Sequence, residues 1–234
     1  MSVISSDDVM NFLITATEGH KASTKKLKYS LLKTFFNFSK NSIDPNISNP
    51  CDSPLLKKTF KIPKGQPWTI LDKDVIDEII FKTGSLRNRL MLELMARGGM
   101  RIGEVLKLRA NHVNDRKLFL IDPKSGRQSE IVFIPQKVGD RLREYIAAEQ
   151  IQEDDRVFPL GYTRAREIVK NAGNKIGIIV KPHELRRNAA TYASRSGVPI
   201  EIVSKTILRH ANLATTQRYL GKVIDLRQSR RLVL

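Results

Sequence analysis

The chain lacks most of what would staple it together or anchor it in a membrane. Its 234 residues include one cysteine, Cys51, so no internal disulfide can form. With no second thiol and no histidine cluster, Cys51 has no metal-site spacing either, and an intracellular, reducing compartment is expected. No apolar run approaches the roughly 18 residues of a spanning helix. The first residues also lack a secretory signal pattern. Internal repeats and low-complexity tracts are absent. Acidic residues are outnumbered, 24 against 41 lysines and arginines, giving a net charge of +17 and a pI near 10.1. That excess is far beyond what solubility requires and implies a polyanionic partner, with nucleic acid preferred to an anionic membrane. Arginine is missing from the first 86 residues, and the ten basic residues up to Trp68 are all lysine. Lysine is a hydrated point charge suited to loose phosphate contacts, whereas arginine offers a planar fork for bidentate ones.

The length predicts one catalytic-sized domain with a smaller partner. Helical periodicity runs over 7–16 and 24–39, with Leu27, Leu31, Phe35 and Phe38 on one stripe of the second segment and Lys25, Lys26 and Lys33 elsewhere on its surface. Turn formers then dominate "NSIDPNISNPCDSP" and "KIPKGQPW". The expected division is a helical DNA-binding domain over 1–60, a linker over 61–68 and a catalytic domain over 69–234. In the last, Asp72 is placed to cap a helix through Val75, Ile76, Ile79 and Ile80. A longer helix, "LRNRLMLELMARG", breaks at Gly98-Gly99, and "RIGEVLKL" is helical. "LFLIDPKSGRQSEIVFIP" predicts two strands joined by a polar turn. From Gln136 onward the pattern is helical, through "KVGDRLREYIAAEQ", "YTRAREIVKNAGNK", "HELRRNAATYASRS", "PIEIVSKTIL" and "LATTQRYL". The fold class is mainly α with a small antiparallel β-sheet, α+β.

Four separated stretches hold the chemically capable residues. They are "GGMRIGEVLKL" with Arg101, the turn "DPKSGRQ" with Lys124, "HELRR" with His183 and Arg186, and "LRHANLATTQRY" with His210 and Tyr219. Each alone has a plain structural reading: a helix-end charge, a solvated turn lysine, a helix-start pair, a histidine at a helix junction, a core tyrosine. Together, with Glu104 three residues after Arg101 and nine residues from His210 to Tyr219, they resemble the tyrosine recombinase family, the phage integrases and Xer-type recombinases. The resemblance covers 69–221 well and the N-terminal region more loosely.

The resemblance implies an active site of Arg101, Lys124, His183, Arg186, His210 and Tyr219, with Tyr219 the nucleophile that becomes joined to DNA. It further implies a 3′-phosphotyrosyl link, a released 5′-hydroxyl and rejoining without ATP, metal or other cofactor. Physical chemistry accords with that set. Breaking a phosphodiester in line builds charge on its non-bridging oxygens, where two arginine forks would stabilise it. A phenol of pKa about 10 needs a positive field or a base to ionise near neutral pH. His183 lies one helical turn before Arg186 and is placed to help.

Two departures from the family pattern stand out. Arg187 occupies the position after the second arginine where a histidine is common, and Leu208-Arg209-His210 replaces Leu-Gly-His. Arg209 thereby removes a permissive glycine from the turn before the tyrosine, and its charge is expected to meet a phosphate. The N-terminal region resembles the later helices of the family's core-binding domain without its first helix, which predicts a weaker grip on DNA or help from a partner. Its Lys25, Lys26, Lys28 and Lys33, with Arg187 and Arg209, are the expected DNA contacts. Leu232, Val233 and Leu234 would form a small apolar anchor for a neighbouring protomer. The expected partners are double-stranded DNA, further copies of the chain in a dimer or tetramer on DNA, and accessory DNA-bending proteins, in the cytoplasm at the nucleoid and not at a membrane. The alternatives are strand relaxation of the type IB topoisomerase kind and a non-catalytic DNA-binding protein on the same fold.

Overall fold

The structure, a computed structural model, describes residues 4–62, 70–121, 129–217 and Leu220. The chain divides into two compact units, Met1–Trp68 and Thr69–Leu234.

The first unit begins with α1 (Ser6–Ala16), closed at its start by a reciprocal pair: Asp8 N–H donates to Ser5 Oγ at 3.1 Å and Ser5 N–H donates to Asp8 Oδ2 at 2.9 Å. It is followed by α2 (Ala22–Ser42), a short 3₁₀ turn (Pro50–Asp52) and α3 (Pro54–Thr59). The core consists of Val9, Leu13, Tyr29, Phe36, Cys51, Leu56 and Phe60. Tyr29 stacks on Phe60 with ring centroids 5.5 Å apart, and its hydroxyl donates to the Cys51 carbonyl at 2.9 Å. Those two contacts fix which face of α2 turns inward. The stripe of Leu27, Leu31, Phe35 and Phe38 is consequently the open one, at 58%, 61%, 58% and 59% exposure.

In the second unit, α4 (Lys73–Phe81) starts after Asp72. The Asp72 carboxylate makes no cap and faces Arg195 at 3.4 Å instead. Next, α5 (Leu86–Ala96) is buried all round from Leu90 to Ala96, the pattern of a central helix. Each fully buried Leu or Met there contributes about 1.5–3 kcal/mol of transfer free energy. One acid interrupts it: Glu93 is met by Arg141 at 2.6 Å. After the expected break, α6 (Ile102–Lys107) follows.

The sheet is antiparallel, in the order β1 (Val113–Asn114), β2 (Lys117–Ile121), β3 (Ser129–Phe133). Lys117 pairs with Phe133, and Leu120 with Glu130. The sequence predicts β2 and β3; two-residue β1 is too short to carry an alternation and was not expected. The turn bearing Lys124 lies outside the described residues. The helices α7 (Gln136–Ala148), α8 (Tyr162–Asn174) and α9 (Pro182–Arg195) then cover α5 and α6, with α9 and α7 against α5 and α8 against α6. Finally α10 (Ile200–Ile202) runs on into a wider π-helical segment, Val203–Leu208, and 213–217 are helical. Leu220 is buried with Ala190, Ala193, Val203 and Leu208 in a second small core. Among the described residues no helix is long and apolar enough to cross a membrane.

Candidate active site

Arg101 is the N-cap residue of α6, and Glu104 one turn on reaches back to it. The Arg101 backbone N–H donates to Glu104 Oε2 at 2.7 Å and its guanidinium donates to Glu104 Oε1 at 2.5 Å. The same carboxylate accepts from the Arg209 guanidinium at 2.6 Å and lies 4.0 Å from that of Arg186. Burial acts to raise the Glu104 carboxyl, but Arg209 and Arg101 outweigh it and hold the group below the usual glutamate range. Glu104 is therefore an anion shared by three arginines from α6, α9 and the turn after Leu208.

The Gly-Gly break gives this arrangement its geometry. Gly99 has φ +62°, and a Cβ there would stand 2.9 Å from the Ile207 carbonyl oxygen. Only a glycine lets the chain turn in this way and bring the end of α5 against the π-helical segment. The Gly99 carbonyl then accepts from Arg186 and, at 3.3 Å, from Arg209. Arg186 also donates to the Leu208 carbonyl, so one buried guanidinium ties α9 to both approaches.

His183 is the second residue of α9, where Glu184 satisfies the Lys181 N–H at 2.6 Å. Its imidazole is held below the usual histidine range by burial, then by Arg186, Arg187 and Arg101. His210 is depressed further, to about 4, by burial and then by Arg186, Arg101 and Arg209. Its Nδ1 lies 2.9 Å from Thr216 Oγ1, whose hydroxyl donates to Ser204 Oγ at 2.9 Å. With that proton given to Ser204, Thr216 accepts from Nδ1–H, and Nε2 becomes the basic nitrogen of a neutral ring.

Arg101, His183, Arg186 and His210 are thus brought together from three of the four expected stretches. Lys124 and Tyr219 lie outside the described residues, although Thr216 and Leu220, near Tyr219 in sequence, are both buried. A cavity of about 430 Å³ is lined by Arg101, His183 and Arg186 together with Lys107, Lys181 and Tyr162. Guanidiniums and an imidazole around such a space can receive a phosphate and stabilise charge growing on its oxygens. Among the described residues no group of three His, Cys, Asp or Glu is placed to hold a metal ion.

The residues expected to face DNA are arranged unevenly. Arg187 is buried on α9. Arg209 is buried as well, and its surroundings are carboxylates and carbonyls where a surface-facing side chain was expected. Besides Glu104 and Gly99 it meets the Ile207 carbonyl at 2.9 Å and faces Glu130 of β3 at 3.3 Å. Its backbone has φ 50° and ψ 47°, the left-handed conformation for which a glycine would be the easy choice, at a cost of about 1–2 kcal/mol for an L-residue. In the first unit, Lys28 donates to the Ala16 carbonyl at 2.7 Å and Lys33 to Asp52 at 2.6 Å. Lys25 and Lys26 have no hydrogen-bond or ion-pair partner among the described residues. Sequence reasoning assigned no part to Glu130, Ser204 or Thr216; nothing in their local patterns signals one.

Comparison with known proteins decides the family. Residues 69–223 match the model of the phage integrase family. The chain belongs to that family. It is 31% identical over 232 residues to a tyrosine recombinase of Thermosipho africanus, a match covering 91% of this chain and 78% of that one. To the tyrosine recombinase XerA of Pyrococcus horikoshii it is 29% identical over 223 residues, 91% of this chain and 74% of the other. The fold is shared with the Tn1549 transposon integrase in complex with circular intermediate DNA, at a TM-score of 0.70 and 16% identity, covering 92% of this chain and 80% of that one. The expected fold class and DNA breaking and rejoining activity therefore stand, and neither alternative is favoured.

Proposed function

We propose that the chain is a site-specific recombinase acting on double-stranded DNA, with Arg101, Arg186, His183 and His210 gathered around the phosphate that Tyr219 attacks. The observation that carries this reading is their convergence: side chains from the start of α6, the start of α9 and the turn after Leu208 share one anion, Glu104, or one electrostatic field. A core alone has no reason to collect so many cations. The phenolic oxygen bonds to phosphorus as the 5′ oxygen leaves, giving a 3′-phosphotyrosyl link and a 5′-hydroxyl. A second 5′-hydroxyl reverses the step, so the phosphodiester bond energy is kept. The arginines stabilise the non-bridging oxygens. Burial and the guanidinium field keep His210 neutral; the same field favours the phenolate of Tyr219, and His183, one turn before Arg186, is placed to help. Lys124 is assigned to protonate the leaving oxygen, a task the arginines cannot easily perform because their pKa exceeds about 12. Lys25 and Lys26 hold duplex phosphates, and copies of the chain assemble on paired sites.

The test is covalent capture. Wild-type protein is incubated with nicked duplexes from a randomised pool, adducts are isolated under denaturing conditions, and the captured DNA is sequenced. Adducts enriched in one sequence are expected with wild type and none with Tyr219→Phe, which loses only the hydroxyl. Adducts that persist in the Phe variant, or a wild type that never forms them, would overturn the reading.

A further inference from the structure

We infer that Arg209 is a positioning residue for the strand-cleavage step, a buried bridge that ties the β2–β3 hairpin to Arg101 through Glu130 and Glu104. This rests on the proposed role of Arg101 at the phosphate. Three observations carry it. The Arg209 side chain is 2% exposed, and those of Glu104 and Glu130 are 9% and 4% exposed, so water contributes little screening. Arg209 is also the only cation within ion-pair distance of Glu130 among the described residues. Glu130 sits opposite Leu120 in the hairpin whose turn bears Lys124, while Glu104 holds Arg101 by both its backbone and its guanidinium. A single guanidinium therefore sets the distance between the strand pair that carries the proposed acid and the arginine proposed to grip the phosphate.

The backbone points the same way. A glycine would adopt φ 50° without strain, and the chain places an arginine there instead. The strain is tolerated because the side chain lies between two buried carboxylates that would otherwise repel each other, and because Glu130 would be left with no cation in reach among the described residues. Glu130 and Arg209 face each other at 3.3 Å without hydrogen-bond alignment, so this half of the bridge acts by charge. The Glu104 half acts by a short directed bond. Removing the charge at residue 130 should accordingly leave the directed half in place.

The experiment separates positioning from structural support, using the full chain and a nicked duplex captured by the wild type. Arg209→Gly relieves the backbone but strands Glu130 and leaves Glu104 to Arg101 alone at short range, and Arg209→Gly with Glu130→Gln removes the stranded charge that Arg209 alone met. Expected are a lower thermal midpoint for the single variant, recovery of much of it in the double variant, and adduct formation at least about tenfold slower in both, with DNA affinity within about threefold of wild type. A double variant that cleaves at the wild-type rate would show that Arg209 only supports the fold. Should both glycine variants fail to fold, Arg209→Lys decides. It keeps one charge but cannot reach both acids, so slowed cleavage at near-normal stability supports the bridge and wild-type cleavage overturns it. Failure of the wild type to form adducts would count against the functional reading, whereas equal adduct rates in wild type and variants would count against Arg209 alone.

Discussion

His210 shows how far its neighbours govern a residue's chemistry. With its pKa near 4, it is neutral throughout the range in which an unperturbed histidine, near 6.5, would change charge. The cause is burial first, then the guanidiniums of Arg186, Arg101 and Arg209. The unfolded chain binds a proton at this ring below about 6.5 and the folded chain resists it, so the stabilising contribution is complete above 6.5 and is lost as pH falls towards 4. His183 is shifted in the same direction. The thermal midpoint should therefore decline between pH 6.5 and 4, and His210→Asn should flatten that decline; parallel curves for the two proteins would contradict the assignment. His183, Arg186 and His210 were marked as candidates by the family resemblance that their order and spacing carry, and the structure sets both histidines in the field of Arg186 and Arg101. The hydrogen-bond and ion-pair partners around them were not legible in the sequence, since Thr216 and Ser204 reach His210, and Glu130 reaches Arg209, only once the π-helical segment packs against α9 and β3.

At the scale of elements, the sequence foretold the helices and the hairpin from periodicity and turn residues, but not which face of α2 is covered. Leu27, Leu31, Phe35 and Phe38 form the more regular stripe, yet Tyr29 and Phe36 are the residues buried, because an aromatic stack and a hydroxyl–carbonyl bond select that face. Periodicity reports that a helix has an apolar side; it does not report what lies across from it. The Gly98-Gly99 break was likewise legible as a stop, but its use was not. Gly99 lets Ile207 approach and presents one carbonyl to two arginines. Gly99→Ala should therefore lower stability by about 1–3 kcal/mol from left-handed strain and contact with Ile207. It should also slow adduct formation, because the acceptor that orients Arg186 and Arg209 is displaced. Denaturant unfolding and the capture assay measure the two effects, and an unchanged unfolding midpoint would show that the turn relaxes without strain.

Over the whole molecule every arginine lies in the second unit, beside further lysines, while the first unit has lysines alone, and this gives the first unit a distinct test. Three arginines of the second unit serve its internal geometry: Arg186 and Arg209 hold carbonyls, and Arg101 and Arg209 hold Glu104. The first unit has lysines only, and these divide by what they touch. Lys28 and Lys33 are engaged with the Ala16 carbonyl and Asp52, and that bond to Asp52 holds the Lys33 ammonium above the usual lysine range. A lysine already bonded within the unit must give up that partner to meet a phosphate, so it adds less to binding than one that faces only solvent. Counterion release makes the difference measurable, because each duplex phosphate neutralised contributes about 0.9 to the slope of log affinity against log salt. Replacing Lys25 and Lys26 together by alanine should weaken binding to all duplexes alike and flatten that slope by about two. The pair Lys28→Ala and Lys33→Ala should change it by less than about one on the same reasoning. Filter-binding or anisotropy titrations between low and moderate salt would measure both. Equal slopes for the two double variants would mean that the internal bonds of Lys28 and Lys33 are given up on DNA, and an unaltered slope in both would place this face of α2 away from the duplex.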